Sequence, residues 1–315
     1  MLSIVITVAP IFILIAIGYA AVRFGYLPAG IAEALNGFAV RIAVPVLLFR
    51  ALERLDMAAA FSLPLLVSFY AGAFTCFAIG IVLARKLFRR RPGESVAVGF
   101  AATFSNSVLL GLAIVERSHG IGPMTPAFGI VALHAPMLYA VGITTMELMR
   151  RDGRPIVEIF RVAARSIIAN PLMIGILSGA IVNLTGHWLP EPVMASVDML
   201  AAAAIPVSLV GVGAAMTRYQ MTARLPEAGM VAALSLILHP AIAFALSHVV
   251  FQLPPDAVRA AVTLAAMPPG MNIYLFAVMY DRAVNLAASA FLLATMLSIA
   301  TVSFWIYILN HIALG

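Results

Sequence analysis

Apolar residues run along most of this chain in stretches of roughly twenty, the length an α-helix needs to cross the hydrocarbon core of a bilayer. These stretches predict ten spans, near 3–22, 34–53, 62–84, 95–115, 123–147, 160–184, 192–216, 227–250, 257–279 and 285–309. Within lipid only helices and closed barrels satisfy the backbone. A barrel would alternate apolar and polar positions over short segments, and these runs are continuous. The predicted fold class is therefore an all-α integral membrane protein of about ten transmembrane helices. No basic leader precedes the first run, and Pro10 interrupts it before it continues to Val22. It reads as the first membrane helix and not as a signal peptide.

The connections are short, so no soluble domain is expected. Composition agrees: 63% of the 315 residues are hydrophobic and 10% are charged, with a mean hydropathy of +1.06. Soluble domains are about 45–50% apolar and about 25% charged. The net charge of +6 raises nucleic acid as a partner. The cations sit in short loops without interleaved aromatics, which excludes it. Thirteen Lys and Arg, among them Arg90, Arg151 and Arg224, fall on one set of loops. Arg50, Arg54, Arg117 and Arg259 fall on the other. The richer set is cytoplasmic by the positive-inside rule, and ten spans then put both termini outside.

An internal repeat sharpens the architecture. Pro10, Gly18, Gly25 and Pro45 recur as Pro171, Gly179, Gly186 and Pro206, each 161 residues later. The segment from Asn106 to Gly111 is echoed from Asn272 to Ala277, 166 residues later. A five-span repeat is odd in number, so its second copy enters the membrane from the opposite side. Residues 1–150 and 151–315 then form two inverted five-helix repeats in one membrane unit. Many secondary transporters are built this way, with substrate bound at mid-depth between the repeats.

The candidate chemistry lies in spans four and nine. Span four carries a polar cluster, Thr103 to Ser107, and span nine carries Pro268, Pro269 and Gly270. Two consecutive prolines remove two N–H donors and disfavour helix before them, while glycine adds freedom. Unwound backbone at membrane depth must line a cavity or be buried in protein. Each half-helix that begins there offers free N–H groups and roughly half a positive charge, which suits a carboxylate. Ser105, Asn106, Ser107, Pro268, Pro269, Gly270 and Asn272 are the candidate substrate-binding residues. The structural alternative is a packing kink with interhelical amide hydrogen bonds. Pro45 and Pro206 are read as kinks, framing the cavity or merely tolerated. Arg41 either attracts the anion or snorkels to the interface. Asp198 is a candidate for binding a coupling proton or Na⁺.

Other signals are quieter. His134 and His239 read as hydrogen-bonded interior histidines, since no carboxylate stands at metal-ligand spacing. The single Cys76 excludes an intrachain disulfide, and the sixteen Met are packing residues. No nucleotide-binding, zinc-hydrolase or serine-hydrolase motif occurs, so neither an enzyme nor a cofactor is expected.

Six segments together resemble the auxin efflux carrier family of membrane transporters, including its bacterial members. They are Pro10 to Arg23 (PIFILIAIGYAAVR), Phe38 to Phe49 (FAVRIAVPVLLF), Phe100 to Gly111 (FAATFSNSVLLG), Asn170-Pro171, Ala203 to Gly213 (AAIPVSLVGVG) and Met267 to Tyr280 (MPPGMNIYLFAVMY). The resemblance implies crossed, broken helices four and nine, with Asn106, Pro268 and Asn272 at the crossover. It implies carboxylate substrates, an elevator-like or rocking motion and a bacterial inner membrane. Many members place proline soon after the glycine of span four, where this chain has Gly111-Leu112-Ala113. That departure implies a softer break in span four.

The expected function is a carrier moving a small organic anion by alternating access, with lipid as surroundings and a homodimer left open. A sensor, a binding protein or a channel is the alternative. With the cell interior negative, the membrane potential alone pushes an anion outward, at about 2.3 kcal/mol per charge per 100 mV. Export then needs no coupling ion, whereas uptake does.

Overall fold

The computed structural model describes residues 2–28, 30–150, 171–186, 189–219 and 224–312. These residues are helical throughout, apart from turns and one isolated antiparallel bridge. In chain order the main helices are α1 (Leu2–Arg23), α2 (Ile31–Glu53), α3 (Leu63–Lys86), α4 (Pro92–Thr103), α5 (Leu112–His119) and α6 (Met124–Arg150). They continue as α7 (Pro171–Thr185), α8 (Glu191–Met216), α9 (Leu225–Val250), α10 (Pro255–Ala265), α11 (Asn272–Tyr280) and α12 (Val284–His311). By length and composition, seven helical segments can cross a bilayer, lying within α1, α2, α3, α6, α8, α9 and α12. The first half of the span expected near 160–184 falls outside the described residues. So do Arg151, Arg154, Arg161, Arg165, Asn170 and the junction between the expected halves.

Local sequence sets the helix ends. Pro64, Pro92, Pro192, Pro226 and Pro255 stand at the first turns of α3, α4, α8, α9 and α10. A missing N–H costs nothing there. Gly25 and Gly186 follow α1 and α7 at φ 77° and 96°, left-handed conformations that favour glycine. These two residues are one of the pairs spaced by 161 positions.

Glycines also allow backbones to touch, the usual device for packing helices in lipid. Helix α1 packs on α8 and α7 on α2. A Cβ on Gly18 would overlap the carbonyl of Val210, and one on Gly179 would press on Phe49 and Leu52. Gly213 lies likewise on the backbone of Ile15, and Gly175 on that of Pro45. Gly213→Val should therefore force α1 and α8 apart, at about 1–3 kcal/mol or more. We expect it to lower the melting temperature of the detergent-solubilised protein by several degrees. Gly229→Ala, in open space, should not. Equal melting of the two variants would show that the contact is not tight.

Helices α4 and α5 occupy the stretch expected as span four, and α10 and α11 that expected as span nine. Neither stretch is one helix. Residues 104–106 leave helical geometry between α4 and a π-helical turn, Ser107–Gly111, that leads into α5. Residues 266–271 do so between α10 and α11. The break in span four is thus complete, sharper than the family departure at Gly111-Leu112-Ala113 implies, and it falls upstream of Gly111.

Candidate functional site

The two interruptions meet. The Asn106 N–H donates to the Pro268 carbonyl at 2.7 Å, and the Gly270 N–H donates to the Phe104 carbonyl at 3.0 Å. Ser105 and Pro269 face each other between these bonds as an isolated antiparallel bridge. The prolines account for the break in span nine. No proline breaks span four, where backbone groups that leave the helix are paired by the other segment instead. Polar side chains help: the Thr103 hydroxyl donates to the Ala73 carbonyl, the Ser105 and Ser107 hydroxyls pair at 2.6 Å, and the Ser105 carbonyl lies 3.1 Å from His134 Nε2.

A cavity of about 310 Å³ opens beside this crossing. Its polar lining comes from Ser105, Asn106, His134, Tyr139 and Asn272, and the rest is apolar, including Val44, Leu109, Leu172 and Leu275. Among the described residues no Asp, Glu, Lys or Arg lines it. The Tyr139 hydroxyl donates to Asn272 Oδ1 at 3.2 Å. That bond fixes the amide with both Nδ2 hydrogens left to donate. The backbone N–H groups of Ser107, Val108 and Leu109, and those of Met271 and Asn272, have no backbone acceptor among the described residues. They belong to the opening turns that lead into α5 and form α11. Two positive helix ends thus lie beside one hollow.

The predicted site residues divide three ways. Ser105, Asn106 and Asn272 reach the cavity. Ser107, Pro268, Pro269 and Gly270 are buried in the crossing that supports them. Pro45, Pro206, Arg41 and Asp198 do not line the cavity. Pro45 is buried against Gly175, and only its neighbour Val44 reaches the hollow. Pro206 is exposed within the unbroken α8, and Arg41 is exposed on a π-helical turn of α2. Asp198 pairs with Arg50, which also bonds Glu53 at 2.7 Å. Its carboxylate therefore joins α8 to α2. Sequence reasoning passed over Tyr139 and assigned His134 to the interior. Both histidines are indeed hydrogen-bonded to carbonyls, His134 to Ser105 and His239 to Phe69. Only His134 also lines the cavity.

An apolar helical protein with this many bilayer-length helices is an integral membrane protein, and comparison with known proteins gives its class as a transporter. The chain belongs to the membrane transport protein family, whose model matches residues 3–306. It is similar to a Rhizobium meliloti (strain 1021) protein named "Putative malonate transporter", at 24% identity over 98% of this chain and 96% of the relative. It is also similar to an "Uncharacterized transporter" of Methanothermobacter thermautotrophicus (strain Delta H), at 25% identity over 96% of this chain and 97% of the relative. These relatives and the family are transporters, not enzymes.

Proposed function

We propose that this chain is a secondary carrier for small carboxylates, binding them where the two interrupted segments cross. The carrying observation is the reciprocal pair of backbone hydrogen bonds between 104–106 and 268–270, beside a cavity edged by Asn106, Asn272 and amide N–H groups with no backbone acceptor among the described residues. A carboxylate there receives donors from two helix ends and two side-chain amides. The name of the Rhizobium relative supports the same substrate class.

The architecture proposed is ten spans in two inverted repeats, lying in a plasma membrane with both termini outside. The helix contacts support it. Gly18 meets Val210 and Gly179 meets Phe49; Gly179 lies 161 positions after Gly18, and Val210 lies 161 positions after Phe49. A two-fold relation between halves generates such swapped pairs. Gly25 and Gly186, also 161 apart, share the left-handed conformation.

Purified protein in liposomes tests the reading. Uptake of labelled malonate or pyruvate should saturate and be competed by other carboxylates, but not by their amides. Absence of saturable flux would remove the carrier proposal, while conductance far above carrier rates would point to a channel. Ligand-induced thermal stabilisation without flux would point to a sensor.

A further inference from the structure

We propose, resting on the carrier reading above, that His134 takes up a proton together with the anion, making the protein a proton–carboxylate cotransporter. A carbonyl oxygen only accepts, so the 3.1 Å contact between His134 Nε2 and Ser105 O puts a hydrogen on Nε2. The other ring nitrogen, Nδ1, then carries a lone pair. It is buried and has no hydrogen-bond partner among the described residues. His134 is 1% exposed and forms part of the wall of a cavity that, among the described residues, no Asp, Glu, Lys or Arg lines.

Among the described residues, no other side chain lining the cavity offers an imidazole lone pair. Phe69 and Phe104 pack edge-on against the His134 ring at 5.6 and 4.9 Å. Tyr70 of α3 lies 6.4 Å away ring to ring and donates its hydroxyl to the Ile130 carbonyl. Tyr139, on the same helix as His134, donates to Asn272. His239 of α9 stands across Phe69, its ring bonded to the Phe69 carbonyl, and its own Nδ1 is also buried without a partner. His239 does not line the cavity. It repeats the local geometry of His134 away from the site and so serves as an internal control.

The coupling follows from the cost of buried charge. An imidazolium in this wall is unpaired while the cavity is empty, which is expensive in an apolar setting. A carboxylate entering the cavity supplies the missing counter-charge, and the imidazolium supplies it a cation where, among the described residues, the lining holds no Lys or Arg. Each therefore raises the other's affinity by the same factor. The Nδ1 lone pair takes a proton from water on the side where the anion enters and returns it to water where the anion leaves. No other co-reactant is needed.

The test uses the full chain in liposomes, with the potential clamped at zero by potassium and valinomycin, and labelled pyruvate or malonate as probes. Protein-free liposomes give the baseline. An inward gradient of one pH unit should drive about tenfold accumulation, the ratio one proton per anion supports. His134→Gln keeps a donor for the Ser105 carbonyl but cannot titrate. It should lose gradient-driven accumulation and exchange the anion with a raised KM that no longer changes with pH, whereas His239→Gln should keep both accumulation and the wild-type KM. Wild-type exchange without gradient-driven accumulation overturns the proposal, as does wild-type accumulation by His134→Gln. If that variant cannot be extracted folded, the wild type decides: the KM for exchange should rise with pH on both sides, and a flat KM overturns the coupling. Absence of exchange for every carboxylate would instead bring down the carrier reading itself, and the cotransport proposal with it.

Discussion

Asn272→Ala should lower carboxylate exchange about 10- to 100-fold, the usual worth of a hydrogen bond to a charged group. The protein should still melt close to the wild-type temperature. Asn272 opens α11 and lines the cavity, and its Nδ2 is aimed by the Tyr139 bond to Oδ1. Removing the amide deletes a donor that the apolar lining does not replace. The folded state loses only the Tyr139 contact, about 1 kcal/mol. Counterflow in liposomes together with a detergent melting curve separates the two effects. Exchange at wild-type rates would mean that the anion is recognised elsewhere, and the crossing would then be structural only.

Arg90→Ala should be the most damaging single change to stability. Arg90 bonds Glu227 at 2.6 Å and Glu94 at 3.2 Å, and its side chain is 8% exposed against 10% for that of Glu227. The pair ties the turn between α3 and α4 to the first turn of α9. Removing the cation leaves the Glu227 carboxylate only the longer 3.6 Å contact with the half-exposed Arg224, at a cost of up to about 3–5 kcal/mol. Little folded protein should survive extraction, read as loss of the monodisperse peak in size-exclusion chromatography. Arg90→Met combined with Glu227→Leu removes both charges and should recover most of that peak. Equal loss in the double variant would mean that packing matters here, not charge.

Hydropathy alone locates the seven bilayer-length helices among the described residues, because a bilayer demands unbroken apolar length and little else. The break in span nine is equally legible, since two consecutive prolines disfavour a continuous helix. The break in span four is not: the Ser105-Asn106-Ser107 cluster hints at it, but the geometry is imposed by Pro268 and Gly270 from the far end of the chain. His134 and His239 look alike as lone histidines in apolar runs, and only tertiary packing puts one of them beside the cavity. Pro45 and Pro206 show the converse. Their equal spacing in the sequence does not decide which face of a helix each occupies, so one is buried and the other exposed. The salt bridge of Asp198 is a similar case, since its partner comes from another helix. Arg50 lies 148 positions away, and nothing local announces it.

The bonds between the crossing segments have a consequence for dividing the chain. The Asn106 N–H and the Phe104 carbonyl find their mates only in residues 268–270. A free-standing amino-terminal portion would carry a donor and an acceptor with nothing to bind, in surroundings where water cannot substitute. A half-length chain would therefore need a second molecule to supply those missing partners.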